Sequence, residues 1–200
     1  MDEIVLRSIA KWPNVPSVYG WLELDRRGRW RIKGEHIIHP GLTEFIARNY
    51  AHDETGQWYF QNGPQRVYVR IAYLPYVMRV AQCSDGFRLF THTGREIPPP
   101  DHAWIDEQGN FVVGFEGIAG LISDQDLEAI LPWIRNAEGA SVSDEALSDA
   151  IEEARLGATP RLTLHYGPDR LPIATLRSEE APRRFRFAAD PRPAPGVPEC

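Results

Sequence analysis

Two hundred residues bound this chain to one domain or two small ones, and a hydrophobic content of 42% with 10% aromatics is enough to fill a core. A formal charge of −6 opposes a dedicated nucleic-acid binder, whose footprint is basic. Cys83 and Cys200 cannot build a disulfide framework, and no apolar run reaches the ~20 residues that span a bilayer, so a reducing, cytoplasmic setting is expected.

In chain order, Ile4, Val5, Ile9 and Ala10 predict a short helix over 2–11, ended by Pro13 and Pro16. Tyr19–Leu24 and Trp30–Ile32 predict a hairpin around Asp25–Gly28. Leu42, Phe45, Ile46 and Asn49 predict a helix behind Pro40. Trp58–Phe60, Arg66–Ala72, Tyr76–Gln82 and Phe87–Phe90 read as an antiparallel meander with turns at Asn62–Pro64 and Ser84–Gly86. Ala103–Asp106 and Phe111–Phe115 predict another hairpin. Ser123 caps a helix that Pro132 should break, and Ser143 caps one that stops at Gly157. Arg161–His165 and Ile173–Arg177 predict a last hairpin. The Pro- and Arg-rich stretch 179–200 is expected to be a mobile tail.

One phrase recurs: Asp25-x-x-Gly28-x-Trp30, Asp53-x-x-Gly56-x-Trp58 and Asp106-x-x-Gly109-x-Phe111. Asp opens a turn, Gly takes the positive φ and the aromatic starts the return strand. The expected fold is therefore α+β. Two strand–turn–strand–helix units, 1–97 and 98–178, surround the meander and meet at the stiff Pro98-Pro99-Pro100. C-terminal helices and the tail follow.

The turns consume acids and glycines that would otherwise suggest chemistry. His36 and His39 are candidate metal ligands with no Glu or third ligand at diagnostic spacing, and His52, near in sequence, is the candidate to join them. An enzyme, metal-dependent or hydrolytic, would use them with Asp53. The pairs His52-Asp53 and Asp101-His102 lack a nucleophile motif. Gly114, Gly117 and Gly120 have neither Rossmann nor Walker spacing. The densest functional patch is the hairpin carrying Tyr59, Gln61, Gln65, Arg66 and Tyr68, where amphipathic aromatics stand beside amides and an arginine. Tyr59 and Gln61 are expected to face outward, opposite Trp58 and Phe60. Residues 123–154 carry nine acids against the single base Arg135, and the tail arginines are candidates to dock on them.

Lys11-Trp-Pro-Asn-Val-Pro16, Tyr19-Gly-Trp-Leu-Glu-Leu, Gly28-Arg-Trp30 and Trp58-Tyr-Phe-Gln-Asn-Gly-Pro resemble a proteobacterial family of uncharacterised proteins, a domain of unknown function. The pattern is also distantly similar to another such family with an α+β fold of repeated motifs and a suggested signalling role. That resemblance implies a repeat and supplies no catalytic residues. The function expected is a non-enzymatic binding or regulatory module for an unknown protein or small-molecule ligand. No cofactor or membrane is expected, nucleic acid is disfavoured, and a homodimer is left open.

Overall fold

The computed structural model describes residues 1–84 and 86–193. Asp85 of the expected Ser84–Gly86 turn, and the end of the expected tail with Cys200, lie outside them. The backbone divides into two compact units: residues 1–75 with the chain from Arg186 on, and Tyr76–Phe185. Among the described residues no helix is long and apolar enough to cross a membrane.

The first unit opens with helix α1 (Glu3–Lys11). It continues through β1 (Val18–Leu24), β2 (Trp30–Ile32), β3 (Glu35–His36), α2 (Pro40–Arg48), β4 (Tyr50–His52), β5 (Trp58–Asn62) and β6 (Gln65–Ile71). Its strands form one sheet in the order β3-β2-β1-β6-β5-β4. Helix α2 begins at Pro40, whose missing N–H costs nothing there, and His39 caps it by accepting from the Leu42 N–H at 3.3 Å. Phe45 of α2 meets Phe60 of β5 edge-on at 5.4 Å, so the helix covers the β5 side of one sheet face.

The second unit contains β7 (Tyr76–Cys83), β8 (Gly86–Thr91), β9 (His102–Asp106), β10 (Phe111–Phe115), β11 (Ile118–Ile122), α3 (Leu127–Ile130), β12 (Ile134–Arg135), α4 (Asp144–Arg155), β13 (Thr163–Tyr166), β14 (Asp169–Leu176) and α5 (Ala181–Arg184). The sheet order is β12-β13-β14-β9-β10-β11-β7-β8. From β11 to β12 this is the succession found from β3 to β4. Both sheets place a parallel contact in the middle, β1 on β6 and β9 on β14.

The turns correspond as well. After Asp25-x-x-Gly28 and Asp106-x-x-Gly109 come the two-residue turns Lys33-Gly34 and Glu116-Gly117, with all four of these residues at positive φ. The last hairpin of each sheet closes on Gly63-Pro64 and Gly167-Pro168. The Asp53 turn, however, occupies the place of the Asn136–Gly139 turn and not that of Asp106.

The Asp-x-x-Gly device forms as expected. At Asp25, Asp53 and Asp106 the Gly N–H donates to the Asp carbonyl at 3.0–3.1 Å. The carboxylate accepts from the main-chain N–H groups two and four residues on, at 2.9–3.0 Å. Asn136 builds the same turn, its side-chain oxygen accepting from Glu138 and Ala140. Thr91 builds a weaker form, its hydroxyl accepting from the Arg95 N–H. Neither position carries the Asp of the recurring phrase.

Three expectations need correction. The meander is split: β4–β6 complete the first sheet, while β7 and β8 extend the second, and the chain breaks between them at Leu74-Pro75. The boundary at Pro98–Pro100 falls inside the second unit, because Ile97 is buried and its N–H donates to the Leu89 carbonyl at 3.0 Å. Residues 179–193, expected to be mobile, are held: Ala181 and Phe187 are buried, and the Ile71 N–H donates to the Ala189 carbonyl at 2.8 Å. Of the tail arginines, Arg184 lies 5.1 Å over Trp104 and Arg192 pairs with Asp190. As expected, Pro132 ends α3, and the chain continues as one 3-10 turn, Leu131–Trp133.

Candidate functional site

The patch expected on the β5–β6 hairpin is largely interior. Tyr59 is 7% exposed and Gln61 2%, so β5 is buried on both faces and the outward placement of these two is overturned. Gln61 donates to the Gly63 carbonyl at 2.9 Å, and Gln65 to the Pro16 carbonyl at 3.0 Å. Tyr68 stacks on Tyr19 with centroids 4.5 Å apart and donates to Asp53 Oδ2 at 3.2 Å. Arg66, which stays exposed, lies 4.6 Å over the Tyr59 ring. Burial, seconded by Tyr68 and Asp53, pushes the Tyr19 phenol up to about 12, so this group stays protonated.

The turn carboxylates are tuned the other way. Burial alone raises Asp25 and Asp53, but it is outweighed. Main-chain N–H groups of Arg29 and Arg27 with the Arg29 side chain hold Asp25 below its ordinary value. The Thr55 hydroxyl, the N–H groups of Gln57 and Thr55, and the Tyr68 hydroxyl do so for Asp53. A folded pKa below the unfolded ~3.9 contributes stability above that pH and loses it as the pH falls towards the folded value. Stability should therefore drop as pH falls below about 4. Asp53→Asn should lower stability at pH 7 and flatten that drop, as read by urea unfolding across pH.

The histidines do not converge, and among the described residues no group of three or more His, Cys, Asp or Glu side chains is placed to hold a metal ion. His36 sits on the exposed β3, and His39 is the α2 cap. His52 Nδ1 lies 3.0 Å from the Asp53 carbonyl, with its ring against Trp58. The metal set expected at His36, His39 and His52 is thus replaced by three local roles. His102 contacts Asp101 at 2.9 Å but lies flat on Trp104, 5.4 Å between centroids, a stacking arrangement.

The concave surface of the first unit centres on Trp21, which lies in none of the recurring motifs. Between Val18↔Val67 and Leu22↔Val69, β1 advances four residues while β6 advances two. This bulge, with Gly20 at φ +72°, turns Trp21 out of the sheet, 46% exposed. The Lys33 N–H donates to the Trp21 carbonyl at 2.9 Å, and Lys33 Nζ stands 3.8 Å over the indole.

On one side of Trp21 opens an apolar groove of about 250 Å³, floored by Leu22, Val67 and Phe60, walled by Ile32 and Leu42, and rimmed by Asn62 and Gln65. On the other lies a charged cleft of about 270 Å³ with Glu23, Lys33, Arg70, Asp190 and Arg192. There Arg70 pairs with Glu23 and Arg192 with Asp190, each at 2.5 Å. Of the residues expected to bind, only Gln65 reaches this surface. The available signal was Gly20 inside a strand pattern, which marks a bulge that re-aims its neighbour.

Over residues 1–192 the chain matches the model of the family DUF2944, described as "Protein of unknown function (DUF2946)". No curated protein matches it. Among solved structures it is similar to a DUF1285 family protein from Silicibacter pomeroyi DSS-3, at 17% identity and a TM-score of 0.51 over 84% of this chain and 87% of that one. A DUF1285 family protein from Shewanella baltica OS155 matches at 13% identity and a TM-score of 0.36 over 54% of this chain and 87% of that one. The first likeness is one of fold. With the family match running through nearly every described residue, the chain belongs to the DUF2944 family of proteins of unknown function.

Proposed function

We propose that the protein is a non-enzymatic binding module with a regulatory role, built from a repeated α+β unit, and that its ligand surface is the pair of concavities meeting at Trp21. The shared strand order and matched turns of the two sheets support the repeat. The observation that carries the binding reading is Trp21 itself. A bulge holds a large amphipathic ring in solvent, braced by Lys33, between an apolar groove and a charged cleft. Ligand sites of this kind are mostly apolar hollows with a few fixed polar groups. The ligand class is amphipathic: an apolar group of side-chain size for the groove, carrying a charged head for the cleft. The enzymatic reading through His36, His39, His52 and Asp53 has no comparable support, since His39, Asp53 and His52 serve a cap, a turn and a ring contact and His36 lies apart on the exposed β3.

The test is a screen of small aromatic and aliphatic carboxylates and amines, followed by amide chemical shifts of the whole protein. Hits should shift Trp21, Ile32, Leu42 and Phe60. Trp21→Ala should weaken them at least tenfold, about 1.4 kcal/mol, with the fold intact. Hits that map elsewhere, or that Trp21→Ala leaves untouched, would refute the site.

A further inference from the structure

We infer that the open edge of β3 docks an extended apolar segment of a partner protein, added as a parallel strand where β7 lies on β11 in the second sheet. This goes beyond the Trp21 site, because the contact is made by main chain along the edge strand of the first sheet and not by the side chains around Trp21.

The two edges follow matching turns, although β11 holds five regular residues and β3 two. β11 follows the turn Glu116-Gly117 and runs to Ser123, whose hydroxyl accepts from the Gln125 N–H. The β3 segment follows the turn Lys33-Gly34 and runs to His39, whose ring accepts from the Leu42 N–H. On β11 the next strand is β7, in parallel register Gly120↔Tyr76, Leu121↔Val77 and Ile122↔Met78, and the Ser123 N–H donates to the Met78 carbonyl at 3.0 Å. On β3 no described strand follows, since it ends the sheet.

The main chain there is oriented to pair. The Ile37 N–H donates to the Trp30 carbonyl at 2.9 Å, so Ile37 faces β2. By the alternation of an antiparallel ladder, the N–H and C=O of His36 and Ile38 face outward. Ile38 is 90% exposed, the most exposed large hydrophobic side chain described. Outward N–H and C=O groups at a sheet edge are a template for pairing with another chain, and an apolar side chain beside them favours it. Here the strand is held to two regular residues, one of them the charged Glu35, and Pro40 follows, which guards it against indiscriminate pairing. The chemistry of the missing strand is read from β7, whose Tyr76, Val77 and Met78 are all buried. Strand addition takes its affinity from main-chain hydrogen bonds and its selectivity from alternate side chains.

The experiment is selection of a random heptapeptide display library on the full-length protein, with the enriched sequences synthesised and titrated. Enriched peptides should be apolar and β-branched or aromatic, and should slow amide exchange at His36 and Ile38. Their affinity should fall at least tenfold for Ile38→Pro, which removes an outward N–H and leaves the Ile37 bond to β2. It should fall likewise when the peptide's own amides are N-methylated, a control that does not touch the protein's fold. No enrichment would overturn the proposal. So would peptides that bind Ile38→Pro and N-methylated forms as well as the originals, or an Ile38→Pro-sensitive dimer in sedimentation, which would make the occupant a second copy.

Discussion

Gly56→Ala is expected to destabilise the protein by about 3 kcal/mol or more, while Gly139→Ala costs about 1 kcal/mol, although both glycines serve the same turn. Their φ values are +79° and +80°, so the backbone penalty for a Cβ is shared. The surroundings differ. A Cβ on Gly139 meets nothing within 4 Å, whereas one on Gly56 would stand 2.1 Å from the Arg186 carbonyl oxygen and 3.2 Å from Phe187 Cα. That neighbour is main chain and cannot rotate away. It is also tied down, because the Ala188 N–H donates to the Gly56 carbonyl at 3.0 Å. Relief requires residues 186–189 to leave the first unit, exposing the buried Phe187 and breaking the Ala189 bond to Ile71. Urea unfolding with matched slopes measures the difference. Equal losses at the two positions would show that this segment is not packed on the Asp53 turn.

Asp106→Ala should cost about 3–4 kcal/mol, against about 1 kcal/mol for Asp25→Ala, a turn carboxylate that is only partly buried. Asp106 has no exposed surface. Its Oδ1 accepts from the main-chain N–H groups of Gln108 and Asn110, and both oxygens accept from the Asn110 side chain at 2.8–2.9 Å. Truncation leaves those donors facing a pocket that the carboxylate had filled and that has no exposed surface, without an acceptor. At Asp25 the same donors are near solvent, and the Arg29 pair at 2.8 Å is on the surface. Asp106→Asn keeps an acceptor for the turn N–H groups and should recover about half of the loss. The same unfolding experiment decides this; an Asp106→Ala loss no larger than that of Asp25→Ala would mean water reaches the turn.

Local chemistry decided a good part of this protein in advance. Asp25, Asp53 and Asp106 with their glycines fixed three turns, because the bonds they need close within five residues. Pro40, Ser143 and Pro132 placed the start of α2, the cap of α4 and the end of α3 for the same reason. The α+β class follows from those signals.

What depends on residues far apart was not legible. The parallel contact of β1 with β6 joins Leu24 to Ile71, and that of β9 with β14 joins Ala103 to Ile173. No alternation within one strand encodes such a partner. Tyr59 and Gln61 read as outward because a two-faced hairpin alternates, yet the first unit covers both faces of β5. Trp21 looks like any strand aromatic until β6 is laid beside β1, since a bulge is an offset between two strands and has no meaning in one. Asn136 and Thr91 hid the same turn behind different acceptors. The sequence alone therefore determined the pieces whose hydrogen bonds are short-range; the tertiary structure determined which strand lies beside which, and so which side chains water can reach.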